Sequence, residues 1–308
     1  MLQPNALQKG DTVMIIAPAG PPTIEHILAG KNILEQMGLS VIVGQSVYEK
    51  HGYLAGNDAV RLHDLHESFA NPIVKAVFCA RGGYGSARLL PHIHYELIRN
   101  NPKIFWGYSD ITALHIAFSQ YAQLITFHGP MIEALGKGLD SLSLSSFNQL
   151  FHPYSTILKA AECLASSSSC TVSAPLIGGN LTVLTSTLGT PYEVNTVNKI
   201  LLLEDVGEEP YRIDRMFNQL RLTEKLSQCA GLIFTSCQDC IASKHSLSLQ
   251  DILYDYLVHY NIPVMFGFPI GHIQPNIGVP LGITVTMDTE KNTLAIPSGV
   301  KLSRTTEQ

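Results

Sequence analysis

Short apolar runs alternate with longer amphipathic stretches through residues 12–127, and this rhythm constrains the fold more than any other feature of the chain. TVMIIA (12–17), SVIVG (40–44), KAVFCA (75–80), KIFWG (103–107) and LITF (124–127) read as strands. Between them, IEHILAGKNILEQMG (24–38), DAVRLHDLHESFA (58–70) and DITALHIAFSQYA (110–122) repeat apolar residues three and four apart, as a helix covering one face of a sheet requires. A β-α-β-α-β order predicts an α/β layer fold with a mostly parallel sheet. Glycine-rich segments follow two of the strands, APAGPP (17–22) and RGGYG (81–85). Both then fall at the carboxyl edge of the sheet, where ligands bind in such folds.

The rhythm fails near residue 152, and ECLASSSSC has the small polar composition of a connection. We expect an N-terminal α/β domain over 1–155, a linker over 156–172 and a C-terminal β-rich, barrel-like α+β domain over 173–308. In the second half, ILLLE (200–204) and AGLIFTS (230–236) read as strands, YRIDRMFNQLRL (211–222) and SLQDILYDYLVHY (248–260) as helices. The runs PVMFGF, LGITVTMD and NTLAIP, with their turn signals, predict a mixed or antiparallel end.

Composition removes several function classes. With 20 Lys+Arg against 25 Asp+Glu, the net charge is −5, and no basic run offers the clustered cations that nucleic acid binding draws on. No stretch holds the eighteen or so apolar residues of a membrane span, and the N-terminus MLQPNALQKGDTV lacks a signal-peptide pattern. The expectation is a soluble, cytoplasmic protein. Six cysteines in 308 residues are too sparse for a disulfide scaffold. Cys237 and Cys240 form a C-x-x-C without the second ligand pair that a zinc site of this spacing needs, so ordinary thiols are expected.

The most informative local segment is KIFWGYSDITALH (103–115), where a strand runs through a tight turn into a helix with Ser109 at the junction. A serine there stands exposed beside the amides of the new helix, a geometry that suits a nucleophile. Ser109 or Asp110 could instead serve as a plain helix cap. The turn also lacks the G-x-S-x-G spacing of α/β-hydrolases. A serine hydroxyl needs a base, commonly a histidine oriented by a carboxylate. Of twelve histidines, His128 and His272 follow strands on glycine-flanked segments and are better placed than His115 on the helix. For the carboxylate, Glu204 and Asp205 end an apolar strand, where an acid is costly unless paired; Arg212 or Arg215 could also be the partner. In CARGGYGSARLL (79–90), amides of Gly82 or Gly83 could form an oxyanion hole, and Arg81 or Arg88 could grip a carboxylate. Arg81 and Tyr84 are the candidate substrate contacts.

Taken together, GDTVMIIAPAG, ARGGYGSARLL, GYSDITALH, HGPM, GGNLTVLTSTLGT, LLLEDVGEEPYRIDR and GHIQPNIGVPLG resemble the LD-carboxypeptidase (muramoyl-tetrapeptide carboxypeptidase) family of serine peptidases along most of the chain. The resemblance implies Ser109 as nucleophile, Glu204 as the carboxylate and His272 as the base, with the amides of Asp110 and of Gly82 or Gly83 holding the oxyanion. It also implies an active site between the two domains, a homodimer, no metal and no organic cofactor. The reaction would be hydrolysis of terminal D-alanine from murein tetrapeptides in cell-wall recycling. Some relatives resemble self-immunity peptidases that act on acyl-adenylates such as processed microcin C. An aromatic in the second domain able to stack on adenine would favour that activity, whereas the single tryptophan, Trp106, lies beside the serine turn. A non-catalytic peptide- or sugar-binding protein is the remaining alternative, and it would need neither Ser109 nor His272.

Overall fold

The computed structural model describes residues 1–164, 170–242 and 245–302. Its described residues divide into two compact units, one of residues 1–154, 277–282 and 298–302 and the other within residues 155–276 and 283–297. In the first unit β1 (Thr12–Ile16), α1 (Ile24–Gln36), β2 (Ser40–Val43), α2 (Asp58–Ala70), β3 (Val74–Cys79), α3 (Tyr95–Asn100), β4 (Ile104–Gly107), α4 (Thr112–Ala117) and β5 (Thr126–His128) are followed by α5 (Ile132–Lys137) and α6 (Ser141–Ser145). β1 to β5 are parallel, in the order β5-β4-β3-β1-β2. Strands covered on both faces read as apolar runs, which is why β1, β3 and β4 were legible in the sequence. Trp106, Phe78, Phe127 and Phe147 fill the centre of this unit's core.

Two helices of the first unit meet through glycines. A Cβ on Gly30 of α1 would lie 2.6 Å from the Ile132 carbonyl oxygen, and one on Gly136 of α5 only 1.8 Å from that of His26. Any larger residue would part α1 from α5, so this pair fixes where the first turn of α5 sits.

The second unit contains β6 (Thr156–Lys159), β7 (Glu162–Cys163), β8 (Thr171–Asn180), α7 (Leu181–Ser186), β9 (Ile200–Val206), α8 (Pro210–Leu222), β10 (Gly231–Gln238), α9 (Leu249–Leu257) and β11 (Val264–Phe266). The chain then gives β12 (Val279–Leu281) to the first unit, antiparallel to β5, and returns to the second with β13 (Thr284–Asp288) and β14 (Thr293–Ile296). The order β6-β14-β13-β8-β9-β10-β11-β7 is mixed. β8 to β11 are parallel, while β13, β14, β6 and β7 are antiparallel to their neighbours. β8 serves both parts, with Thr171 to Pro175 pairing β13 and Leu176 to Asn180 pairing β9. At Gly178 (φ +119°) a Cβ would lie 2.0 Å from the Leu202 carbonyl oxygen, so only glycine lets the two strands approach there. The fold class is the expected one, an α/β domain joined to a β-rich α+β domain.

Three local expectations differ. Within the linker expected over 156–172 the chain forms β6, β7 and the start of β8, because short edge strands of half-exposed residues carry little apolar signal; 165–169 lie outside the described residues. The helix expected over 110–122 is broken into a 3₁₀ turn at Ser109–Ile111, α4 and a π turn at Phe118–Ala122, ended by left-handed Gln123. His128, expected on a loop, is the fully buried last residue of β5.

Candidate active site

In the first unit, β4 ends at Gly107, where a Cβ would meet Cys79 Cβ at 2.9 Å and the Ile111 side chain at 3.1 Å. The missing side chain lets the chain reverse tightly. Tyr108 is extended, and Ser109 then takes φ +62°, a left-handed conformation that costs an ordinary L-residue free energy. Strain of this kind concentrates at functional residues, and here it lifts the half-buried Ser109 out of the sheet edge before α4 begins. No side-chain cap bond is made at either helical start, so Ser109 is not there as a helix cap. The buried Asp110 carboxylate instead accepts the Ser86 amide at 2.8 Å, and the Ser86 hydroxyl donates to the Asp110 carbonyl at 2.5 Å. Burial pushes the Asp110 carboxyl above its ordinary range, against the pull of the Ser86 bonds.

The glycine turn lies directly against this serine. A Cβ on Gly82 would be 2.9 Å from Ser109 Cβ and 3.0 Å from its Oγ, whereas the nearest neighbour of a Cβ on Gly83 (φ +104°) is Gly20 Cα at 3.5 Å. Of the two glycines considered for an oxyanion hole, Gly82 is therefore the one that faces Ser109. Both glycine-rich loops are tied together: the Gly20 amide donates to the Gly82 carbonyl at 2.9 Å. Arg61, fully buried on α2, donates to the carbonyls of Pro18 at 2.6 Å and Gly85 at 2.8 Å and pairs with Asp58. Asp58 in turn takes Arg88 with both oxygens, at 2.8 to 3.1 Å. Arg61 and Asp58 were not anticipated. The available signal was an arginine in register with Leu65, Ser68 and Phe69 on the buried face of an otherwise ordinary amphipathic helix.

Arg81 and Tyr84 point differently. The Arg81 side chain is 49% exposed, donates from Nη1 to the Pro21 carbonyl at 2.9 Å and holds Nε 3.6 Å from Glu133. Tyr84 is exposed and meets Tyr53 edge-on, ring centroids 5.7 Å apart. Trp106 is fully buried and donates to the Pro130 carbonyl, so it presents no ring face to a ligand. His115 is buried between Thr126 and the Gly107 carbonyl, 2.9 Å from each, and burial drives its pKa down to about 3. An imidazole held neutral in that way is a structural member of the strand-turn-helix unit.

In the second unit, Glu204 on β9 is fully buried and its Oε2 lies 2.6 Å from His272 Nδ1. The same oxygen accepts the His272 backbone amide at 3.2 Å. This double contact fixes the imidazole on the carboxylate and leaves proton exchange to Nε2. The loop is built for it: Gly271 (φ +100°) passes so close that a Cβ would meet Glu204 Cγ and Oε2 at 2.7 Å. The Gly271 amide is held by Asn276 Oδ1 at 3.0 Å, and the Ile270 carbonyl accepts from the Thr235 hydroxyl at 2.8 Å. The peptide bond before Pro275 in this loop is cis.

The acid beside Glu204 has another task. Asp205 accepts from Asn180, from the amide and hydroxyl of Thr182 and from the Val206 amide, at 2.8 to 3.0 Å, and so anchors the start of α7. Arg212 pairs with Glu208 rather than with either strand acid. All six cysteines are free thiols, and burial pushes both Cys237 and Cys240 above the ordinary thiol range. Among the described residues no group of three or more His, Cys, Asp and Glu could hold a metal, and no helix is long and apolar enough to cross a membrane.

Residues 13–129 match the LD-carboxypeptidase N-terminal domain and residues 173–287 the LD-carboxypeptidase C-terminal domain. The chain is 46% identical over 304 residues to a probable murein peptide carboxypeptidase of Bacillus subtilis (strain 168), covering 97% of this chain and 95% of that one. It is 33% identical to a murein tetrapeptide carboxypeptidase of Pseudomonas aeruginosa, covering 90% and 92%. Among solved structures, the microcin C7 self immunity protein in its apo state superposes with a TM-score of 0.87 at 26% identity, over 98% of this chain and 100% of that one. With two domain matches in order and relatives that span nearly its whole length, the chain belongs to the LD-carboxypeptidase family.

Proposed function

We propose that this protein is a serine carboxypeptidase that removes the terminal D-alanine of murein tetrapeptides, with Ser109, Glu204 and His272 as one catalytic triad. Two specialised geometries carry the proposal: in the first unit a strained serine turn backed by glycine, and in the second a buried carboxylate locked onto a histidine. Relatives named for murein peptides supply the substrate class.

In this mechanism His272 Nε2 removes the Ser109 proton as Oγ attacks the carbonyl of the diamino acid. Glu204 stabilises the resulting imidazolium, an interaction strengthened by its burial. Amides of Asp110 and Gly82 would hold the developing oxyanion. The imidazolium then protonates the departing D-alanine amine, and water releases the acyl-enzyme by the same base.

A carboxypeptidase also needs a cation for the terminal carboxylate, and a chain of net charge −5 must supply it locally. Three arginines flank the glycine turn. Arg61 is spent on carbonyls and Asp58, and Arg88 on Asp58, while Arg81 keeps a half-exposed guanidinium one residue from Gly82. Arg81 is therefore our carboxylate grip, with the exposed Tyr84 beside it as a second substrate contact. A cytoplasmic homodimer acting in cell-wall recycling belongs to the same proposal and rests on the family resemblance.

The test is release of D-alanine, followed by mass spectrometry, from L-Ala-γ-D-Glu-meso-diaminopimelate-D-Ala by the parent and by Ser109→Ala, without added metal. Release by the parent alone supports the proposal. Cleavage of an acyl-adenylate in its place would transfer the same triad to the immunity activity. Function unchanged in Ser109→Ala would leave a binding protein.

A further inference from the structure

Glu133, in the first turn of α5, is an acid that no motif singled out, and it is only 7% exposed. Its Oε1 receives Lys137 Nζ at 2.9 Å and the Thr23 hydroxyl at 3.3 Å, with His26 Nδ1 at 3.8 Å. Its Oε2 is buried and has no hydrogen-bond partner. A buried carboxylate oxygen without a donor is costly and calls for a reason. What faces it is Arg81 Nε, at 3.6 Å just beyond hydrogen-bonding range.

The two residues are registered through the backbone, because the Glu133 amide donates to the Ala80 carbonyl at 3.0 Å, one residue before Arg81. The glycine contact of α1 with α5 fixes the helix that carries Glu133. A guanidinium is a rigid planar fork, so fixing two of its edges fixes the direction of the third. Here Nη1 is tied to the Pro21 carbonyl, Nε faces Glu133 Oε2 and the side chain is 49% exposed, which leaves the remaining edge for an incoming anion. Arg81 and Lys137 share one carboxylate, which leaves the cluster one positive charge for an incoming anion.

We propose that Glu133 is a positioning residue: it aligns the Arg81 guanidinium to receive the terminal carboxylate of the substrate. On substrate binding, Nε closes onto Oε2 while the remaining edge takes the carboxylate in a bidentate contact. The inference rests on the carboxypeptidase proposal and on Arg81 as its grip, and it adds the group that makes that grip directional.

The experiment measures kcat and KM on the tetrapeptide and on its C-terminal D-alanine amide, which lacks the anion. The variants are Arg81→Ala, Glu133→Gln, the double variant and Lys137→Ala, each checked for folding by thermal melting. Glu133→Gln is expected to raise KM for the acid about tenfold, the loss of one charge-assisted bond, with kcat within about twofold. It should leave the amide unaffected, add nothing in the Arg81→Ala background, and not be reproduced by Lys137→Ala. Glu133→Asp, which keeps the charge but shortens the reach, should fall between and serves if the Gln variant does not fold. Equal effects of Glu133→Gln on acid and amide, or full additivity with Arg81→Ala, would overturn the inference while leaving the Arg81 grip standing. An unchanged KM in Arg81→Ala would instead refute the grip itself.

Discussion

Ser109 offers a stability test of its backbone geometry that needs no substrate. At φ +62° a residue carrying a Cβ costs roughly 1–2 kcal/mol relative to a relaxed backbone, and glycine does not. Glycine gives back about 0.4–1 kcal/mol through its freer unfolded chain. Ser109→Gly should therefore be more stable than Ser109→Ala by about 1 kcal/mol, or about 1–3 °C in Tm for a chain of this size. Comparing the two variants with each other, rather than with the parent, cancels every hydrogen bond of the lost hydroxyl. The sign is diagnostic, because at an ordinary position glycine is the less stable of the two by roughly 0.5–1 kcal/mol. Thermal melts at one pH and salt concentration suffice, and both proteins should be inactive. A Gly variant that melts below the Ala variant would refute the strained turn and the structural argument for a nucleophile at this position.

Further outcomes follow from the neighbouring groups. His115 is held neutral with a pKa of about 3 against an ordinary 6.5, so the unfolded chain binds more protons between those values and stability falls as pH drops through that window. Urea denaturation should show the parent losing about 2 kcal/mol between pH 7 and pH 5 through this group, and His115→Gln losing correspondingly less. If Glu204 acts as proposed, Glu204→Gln should lower kcat roughly 10³- to 10⁴-fold with little change in KM by removing the charge that stabilises the imidazolium, and steady-state kinetics reads this directly. Gly85→Ala would place a Cβ 2.4 Å from Leu54 and 2.9 Å from Arg61 at φ +124°. Denaturation should show a loss of about 1–3 kcal/mol, with reduced activity through the displaced Ser86 to Asp110 contact.

The parts of this molecule legible from sequence are those in which one physical requirement acts alone. Parallel strands buried on both faces are mainly apolar, so β1, β3, β4, β9 and β10 stand out as apolar runs. Edge strands are under no such demand: β6 and β7 together bury only Leu158, and β12 carries Pro280, which ordinarily argues against a strand. The π turn ending the helix after Ser109 depends on left-handed Gln123, which no periodicity encodes. Ser109, Glu204 and His272, the residues of the proposed triad, stood out because each lies on or after an apolar strand, with a glycine close by in the sequence. Arg61 and Glu133 were hidden, since each occupies a helix position where a charged residue is unremarkable until its partners in distant segments are known.

The central claim is that Ser109 forms a covalent acyl-enzyme, and intact-mass measurement after rapid acid quenching of enzyme with the murein tetrapeptide tests it most directly. The account predicts a mass increase equal to the substrate less D-alanine, mapped by peptide digestion to the segment containing Ser109 and absent from Ser109→Ala. Release of D-alanine by Ser109→Ala at the parent rate, or an adduct on another residue, would contradict it.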